Sequence, residues 1–202
     1  MLLWSMCYPL IAAGIAYAPH LTFAASRAFL AGLTLTGLAL VLCRPLPKGT
    51  AHWSIVATVG FGATALGFLG MFHAAEFVSP GLATVIGNTQ PLLAAVLGSM
   101  VLNERLTARG MTGLTLGFVG ILSIAAPQFI APGRDNYIFG VAYIILAALG
   151  ITVSNVGIKR IAGKVDPLMA MGLQMLIGSV PLALIAWGTE EPSTVRWSVT
   201  FI

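Results

Sequence analysis

Seven apolar runs, each about as long as a bilayer-spanning helix, make up most of this 202-residue chain. Short segments that carry charges, prolines or both separate the runs. A membrane span needs about 20 predominantly apolar residues. The sequence therefore predicts seven spans, at about residues 1–18, 23–43, 51–72, 80–102, 110–126, 137–158 and 167–187. An eighth run begins near Trp197, and we expect the chain to be truncated within it.

Charged residues are too scarce for a chain that folds in water. They make up 8% of the sequence, against about 25% in soluble domains. This excludes a soluble globular enzyme and a disordered tail, and the lipid bilayer is the solvent that fits. The ten basic residues are too few and too dispersed to follow a phosphate backbone, so we expect no nucleic-acid partner.

The basic residues indicate an orientation. If the spans alternate in direction, the loops on one side receive seven of the ten basic residues, and the other side receives Arg134 and Arg196. The positive-inside rule makes the basic side cytoplasmic and predicts a cytoplasmic N-terminus in an inner (plasma) membrane. The tenth basic residue, Arg27, lies inside the second span. The seven are Arg44, Lys48, Arg105, Arg109, Lys159, Arg160 and Lys164.

A weak internal repeat divides the chain. Residues 1–126 contain five spans, a turn-rich linker follows at 127–136, and residues 137–202 begin a second unit. The offset that places Pro167 on His20 also places Gln174 on Arg27. A unit with an odd number of spans forces the second copy to enter the membrane from the opposite side. We therefore expect an inverted repeat with a central site between its halves.

The segment from Ala74 to Pro127 has a specific order of motifs. It contains Val78-Ser79-Pro80-Gly81-Leu82-Ala83, then Gln90-Pro91 within a span, then the turn Asn103-Glu104-Arg105-Leu106-Thr107 and a glycine-spaced helix. This order resembles the EamA domain of the drug/metabolite transporter superfamily. The resemblance implies two five-span repeats, of which this chain holds the first and the start of the second. It also implies export or exchange of small metabolites, such as amino acids, nucleosides and sugars, without ATP hydrolysis.

The fourth span carries the strongest candidate for a substrate pathway. Pro91 cannot donate a hydrogen bond to the carbonyl of Gly87, which favours a broken helix of the kind that transporters use for binding sites. We expect the stripe of Thr84, Asn88 and Pro91 to line the pathway, and Gly87 and Gln90 to pack on a neighbouring helix. The alternative is that Asn88 and Gln90 only make interhelical hydrogen bonds.

Five further residues are weaker pathway candidates. Arg27 is either an anion-attracting group at the outer mouth of a cavity or a cation that extends to the interface. Trp4 and Tyr8 share a face of the first span, where they either line the pathway or belong to an interfacial aromatic belt. Asn155 falls on Tyr8 under the repeat, so Asn155 and Gln174 complete the predicted lining.

Two groups of residues are interpreted as structural. Glu104 and Arg105 occupy a tight turn, where Glu104 can pair with a nearby arginine or cap the helix that starts at Thr107. The glycines of the next span recur at helical spacing and predict close helix packing. They are Gly110, Gly113, Gly117 and Gly120.

The remaining polar residues show no catalytic pattern. Glu76 is interpreted as a solvated loop charge, with proton coupling as the alternative. His20, His52 and His73 are scattered near span ends without metal-ligand spacing, and we expect no metal and no cofactor. The sequence Gly60-x-Gly62-x-x-Ala65 lies in an apolar span without a strand, so it is not a dinucleotide site.

These patterns together predict an all-α, polytopic transmembrane bundle that is not an enzyme. Its predicted function is secondary transport, most simply export, of small metabolites such as amino acids by alternating access. Its expected partners are a small-molecule substrate and the lipid bilayer, and a homodimer is one assembly open to such a chain. The alternative is a non-transporting membrane scaffold or partner-binding module.

Overall fold

The computed structural model describes residues 6–15, 18–101, 107–127 and 136–190. These residues confirm the all-α fold. Six helices are long and apolar enough to cross a membrane, and they correspond to the second through seventh predicted spans. Of the first predicted span, residues 6–15 and 18 are described, and Cys7–Ile15 form a helix. The helices are α1 (Cys7–Ile15), α2 (His20–Val41), α3 (Thr50–Val59), α4 (Gly67–Phe77), α5 (Pro80–Gly87), α6 (Thr89–Val101), α7 (Ala108–Ala125), α8 (Tyr137–Ile161) and α9 (Pro167–Thr189).

The third span is continuous but irregular in its middle. A π-helical segment, Gly60–Leu66, joins α3 to α4 within the span Thr50–Phe77. Its glycines let two other helices approach the backbone, because Gly60 lies against α9 at Gln174 and Gly62 lies against α8 at Gly150. Segments of π-helix inside α-helices frequently occur at functional sites.

The fourth span, Pro80–Val101, is interrupted at one residue. The helix α5 ends at Gly87, Asn88 has a ψ of 0°, and α6 restarts at Thr89. The restart places Pro91 in the first turn of α6, where the missing N–H of proline is not needed by the helix.

Local capping sets the start of two helices. The carboxylate of Asp166 accepts hydrogen bonds from the backbone N–H groups of Leu168 and Met169, at 3.0 and 3.1 Å, and Pro167 occupies the first turn of α9. The hydroxyl of Thr107 accepts from the backbone N–H of Gly110 at the start of α7. Both are side-chain caps for otherwise unpaired N–H groups.

The helices α2 and α9 pack together in antiparallel directions. Near one end Thr22 of α2 contacts Glu190, and farther along α2 Gly32 lies against Leu176 and Gly172 of α9. An inverted repeat requires this antiparallel relation between equivalent helices. The offset that places Pro167 on His20 also places the end of α8 one position from the end of α1. This geometry is compatible with two inverted repeats, and the division into repeats stays a prediction.

The two ends of the bundle differ in chemistry. At the basic end, Arg44 approaches Asp166 with 3.6 Å between Nη1 and Oδ2. At the opposite end, the start of α2 meets the end of α4 and the residue that follows α9. Between the ends, large apolar side chains such as Leu30 and Trp187 are exposed, as expected for surfaces that face lipid.

Candidate functional site

A cavity of about 370 Å³ lies among α2, the third span, α8 and α9. Its walls combine one cation, amides and hydroxyls with apolar, sulfur-containing and aromatic side chains. None of its described lining residues is acidic. They are Arg27, Val59, Ala63, Thr64, Phe68, Met71, Ile151, Ser154, Asn155, Ile158, Met171, Gln174 and Met175.

The tertiary structure brings three of the predicted site residues to this cavity. Arg27, Asn155 and Gln174 come from three different helices, and all three line the same space. Gln174 is 4% exposed, and its Oε1 accepts a hydrogen bond of 2.9 Å from the hydroxyl of Thr64 in the π-helical segment. A buried amide needs such a partner, so this bond fixes the orientation of Gln174.

Arg27 provides the only positive charge among the described lining residues. Its guanidinium carbon lies 5.3 Å from the centroid of the Phe68 ring, which is a cation–π distance. The side chain remains exposed, so its N–H groups are accessible to a ligand. A guanidinium binds carboxylates and phosphates through paired hydrogen bonds.

Two other predicted residues meet at a separate, very small void. Tyr8, which is 2% exposed, and Gln90 line a space of about 10 Å³. Met71 and Ile151 line both this void and the cavity, so they form the partition between the two. Gly87 packs next to Tyr8.

The other stripe of the fourth span lies elsewhere. The side-chain amide of Asn88 donates to the backbone carbonyl of Thr84 at 3.0 Å, and the hydroxyl of Thr84 donates to the carbonyl of Pro80 at 2.8 Å. The described residues that line the cavity and the void do not include Thr84, Asn88 or Pro91. Their role in a pathway stays a prediction.

The predicted packing glycines of α7 have few neighbours within the described part of the chain. A Cβ atom at Gly117 would lie 3.1 Å from Leu92 of α6, whereas none at Gly113 or Gly120 would meet an atom within 4 Å. At Gly110 the neighbour is its own cap, Thr107. Trp4, Glu104 and Arg105 lie outside the described residues, so their predicted roles stay open.

Sequence reasoning missed the hydroxyl groups of the cavity. Thr64 and Ser154 are each 1% exposed, and the hydroxyl of Ser154 lies within hydrogen-bond distance of the carbonyls of Val59 and Gly150. A threonine or serine within an apolar span was the available signal, but such residues are common as packing groups in membrane helices.

The fold and this cavity define a polytopic α-helical membrane protein with a cavity of mixed polarity among its helices. Residues 1–126 match the model of the EamA-like transporter family. The chain belongs to this family, which confirms the resemblance seen in the sequence.

The curated relatives include several transporters. The chain is 34% identical to a chloroplastic WAT1-related protein of Arabidopsis thaliana, over 84% of this chain and 41% of the relative. It is 30% identical to the uncharacterized transporter YvbV of Bacillus subtilis, over 100% of this chain and 65% of the relative. It is 24% identical to a probable amino-acid metabolite efflux pump of Salmonella typhimurium, over 90% of this chain and 58% of the relative.

The chain thus spans less than two thirds of the length of these relatives. No solved structure shows significant similarity to it.

Proposed function

We propose that this chain belongs to a secondary transporter that exports small metabolites, such as amino acids or related solutes, across the inner membrane by alternating access. The observation that carries the proposal is the cavity that Arg27, Asn155 and Gln174 share. Family membership supports transport as the activity. The name of the Salmonella typhimurium relative, a probable amino-acid metabolite efflux pump, supports the substrate class.

The cavity wall suits a solute with an anionic group and a small apolar body. Arg27 offers the charge, and Gln174 and Asn155 offer amide groups for polar contacts. Phe68, Met71 and other apolar side chains complete the wall. Ligand sites of this kind combine a mainly apolar surface with a few polar groups that orient the ligand.

The test compares ligands that differ only in the anionic group. The whole protein is reconstituted in liposomes, and counterflow is measured for an amino acid and for its carboxamide, in which a neutral amide replaces the carboxylate. Hydrogen bonds to charged groups contribute about 1.5–3 kcal/mol. Arg27→Gln should therefore lower uptake of the amino acid about tenfold or more, and leave uptake of the carboxamide near the parental value.

A matched control separates this effect from a general loss of positive charge. Arg160 is exposed in the last turn of α8 and does not line the cavity. Arg160→Gln should leave both uptakes unchanged. If Arg27→Gln lowers uptake of the amino acid and of its carboxamide equally, Arg27 does not bind the anionic group. Folded parental protein that moves no member of a broad metabolite panel would instead support the scaffold alternative.

A further inference from the structure

Four titratable side chains meet at the end of the bundle opposite the basic end, outside the cavity. They come from three parts of the chain: His20 begins α2, His73 and Glu76 lie in the last two turns of α4, and Glu190 follows α9. Nδ1 of His20 lies 2.9 Å from Oε1 of Glu76 and 3.3 Å from Oε1 of Glu190. We call this group the histidine–glutamate cluster.

The two histidines face each other directly. Nε2 of His20 lies 3.3 Å from Nε2 of His73, and the rings meet edge to face with their centroids 4.3 Å apart. The other ring nitrogen of His73, Nδ1, lies 3.2 Å from the backbone carbonyl of Leu69. The ring of Tyr143, from α8, stacks on His73.

The side chain of Glu190 is fixed by hydrogen bonds at the start of α2. Its carboxylate accepts hydrogen bonds of 2.8 Å from the backbone N–H groups of Leu21 and Thr22 and from the hydroxyl of Thr22. These N–H groups have no partner within the helix, and the helix N-terminus favours negative charge. The side chain is 8% exposed, so this carboxylate is a fixed acceptor for His20.

Counting hydrogen atoms shows what the cluster needs. Each contact in it joins two atoms that can accept, so each needs one proton between them. The contact of His20 with the carboxylates needs one, the contact between the two Nε2 atoms needs a second, and the contact of His73 with Leu69 needs a third. Two neutral imidazoles carry two protons. Hydrogen bonds at all three contacts would therefore need one proton more than two neutral rings supply.

We propose that the histidine–glutamate cluster is a proton-binding site, and that the bound proton joins the ends of α2, α4 and α9. Without that proton, one of the three contacts places two lone pairs against each other, and the cluster opens. Histidine is the side chain whose charge changes near neutral pH. The helices α2 and α4 also carry Arg27 and Phe68 of the cavity wall, so separation at the cluster would displace that wall.

The test measures stability against pH and does not depend on transport, so it stands or falls separately from the proposed function. Thermal unfolding of the whole protein in lipid nanodiscs is followed by tryptophan fluorescence between about pH 5.5 and about 8.5, the range over which histidine titrates. The parent should lose up to about 3–5 °C in Tm for each pH unit over which the proton is released. His20→Gln and His73→Gln should lose most of this dependence.

His52→Gln is the matched control. His52 lies near the start of α3, and its Nδ1 contacts the backbone carbonyl of Lys48 rather than a charged group. It should keep the parental slope. The same slope in the parent and in both cluster variants would overturn the proposal.

Two further measurements test the proposal, one with a third variant and one with a chelator. If the histidine variants fail to fold, Glu76→Gln provides the test. Glu76 lies at the rim of the cluster, with its side chain 39% exposed. Because Glu76→Gln removes one anion, it should shift the pH dependence of Tm to lower pH, and an unshifted curve would overturn the proposal. The described residues include no group of three or more side chains placed to hold a metal ion. A chelator should therefore leave the parental curve unchanged, and a shift on chelation would contradict proton binding.

Discussion

Adding one methyl group at Gly60 should destabilise the protein, because two backbones meet there. A Cβ atom at this position would lie 2.5 Å from the carbonyl oxygen of Gln174 and 3.2 Å from the backbone nitrogen of Gly178. Neither atom is the end of a flexible side chain, so α9 has to move. Overpacking of this kind costs about 1–3 kcal/mol.

The net effect is smaller than the clash, since alanine favours a helix over glycine by about 1 kcal/mol. With the upper value for a backbone clash, Gly60→Ala should lower the free energy of unfolding by about 2 kcal/mol. This corresponds to a fall in Tm of about 4–8 °C for a chain of this size. Gly37→Ala in α2 is the matched control, because its Cβ would meet nothing within 4 Å of the described structure. Gly37→Ala should raise the free energy of unfolding by up to about 1 kcal/mol.

The assay is thermal unfolding of both variants and the parent in the same detergent or nanodisc. The reasoning predicts changes in opposite directions for Gly60→Ala and Gly37→Ala. Equal Tm values for the two variants would show that α9 and the π-helical segment are not in close contact, and would refute the packing described above.

Three further changes test the cavity and the helix contacts. Gln174→Leu should lower the free energy of unfolding by about 1–3 kcal/mol, because it leaves the buried hydroxyl of Thr64 without its acceptor. The double variant Gln174→Leu with Thr64→Val should lower it less than Gln174→Leu alone, and both are measured by unfolding. Met71→Ala should cost about 2–5 kcal/mol and join the void to the cavity, so uptake should extend to bulkier ligands; an unchanged size limit would contradict the partition. Gly117→Leu should lower the yield of folded protein through its clash with Leu92, whereas Gly117→Ala should be tolerated because the tip of Leu92 can shift, and equal yields would argue against this contact.

The position of each span follows from local sequence. Apolar runs of sufficient length between charged or proline-containing loops marked six helices that the structure contains. The break in the fourth span was also visible, because proline removes a backbone donor wherever it occurs in a helix. The structure places the break at Asn88, three residues before Pro91.

The residues of the cavity were only partly predictable. Arg27 and Gln174 stood out because charged and amide groups in a span need partners. Thr64 and Ser154 did not, because a hydroxyl can bond to the carbonyl one turn back in its own helix, as Ser154 does with Gly150. Their burial depends on close approach between helices that are far apart in the chain.

The contacts of the histidine–glutamate cluster were still harder to predict from the sequence. In the sequence, His20, His73 and Glu76 looked like unrelated residues near span ends, and Glu76 like a solvated charge. The structure pairs Glu76 with His20 and brings in Glu190, which is 170 positions from His20. His73 and Glu76 are one turn apart on α4, but no spacing rule within one helix connects them with His20 or Glu190. The packing of α2 against α4 and against the end of α9 creates those contacts.

The sequence by itself determined the solvent, the class of fold, the family and the approximate bounds of the spans. The solvent, the fold class and the spans depend on composition and local periodicity, which the chain carries in every short segment. The family depends on the order of motifs between Ala74 and Pro127. Only the tertiary structure decided which polar groups share the cavity, which glycines allow close approach, and which charges meet at the end opposite the basic end. Those features depend on distances between helices that are remote in sequence, and such distances are set by packing of the whole bundle.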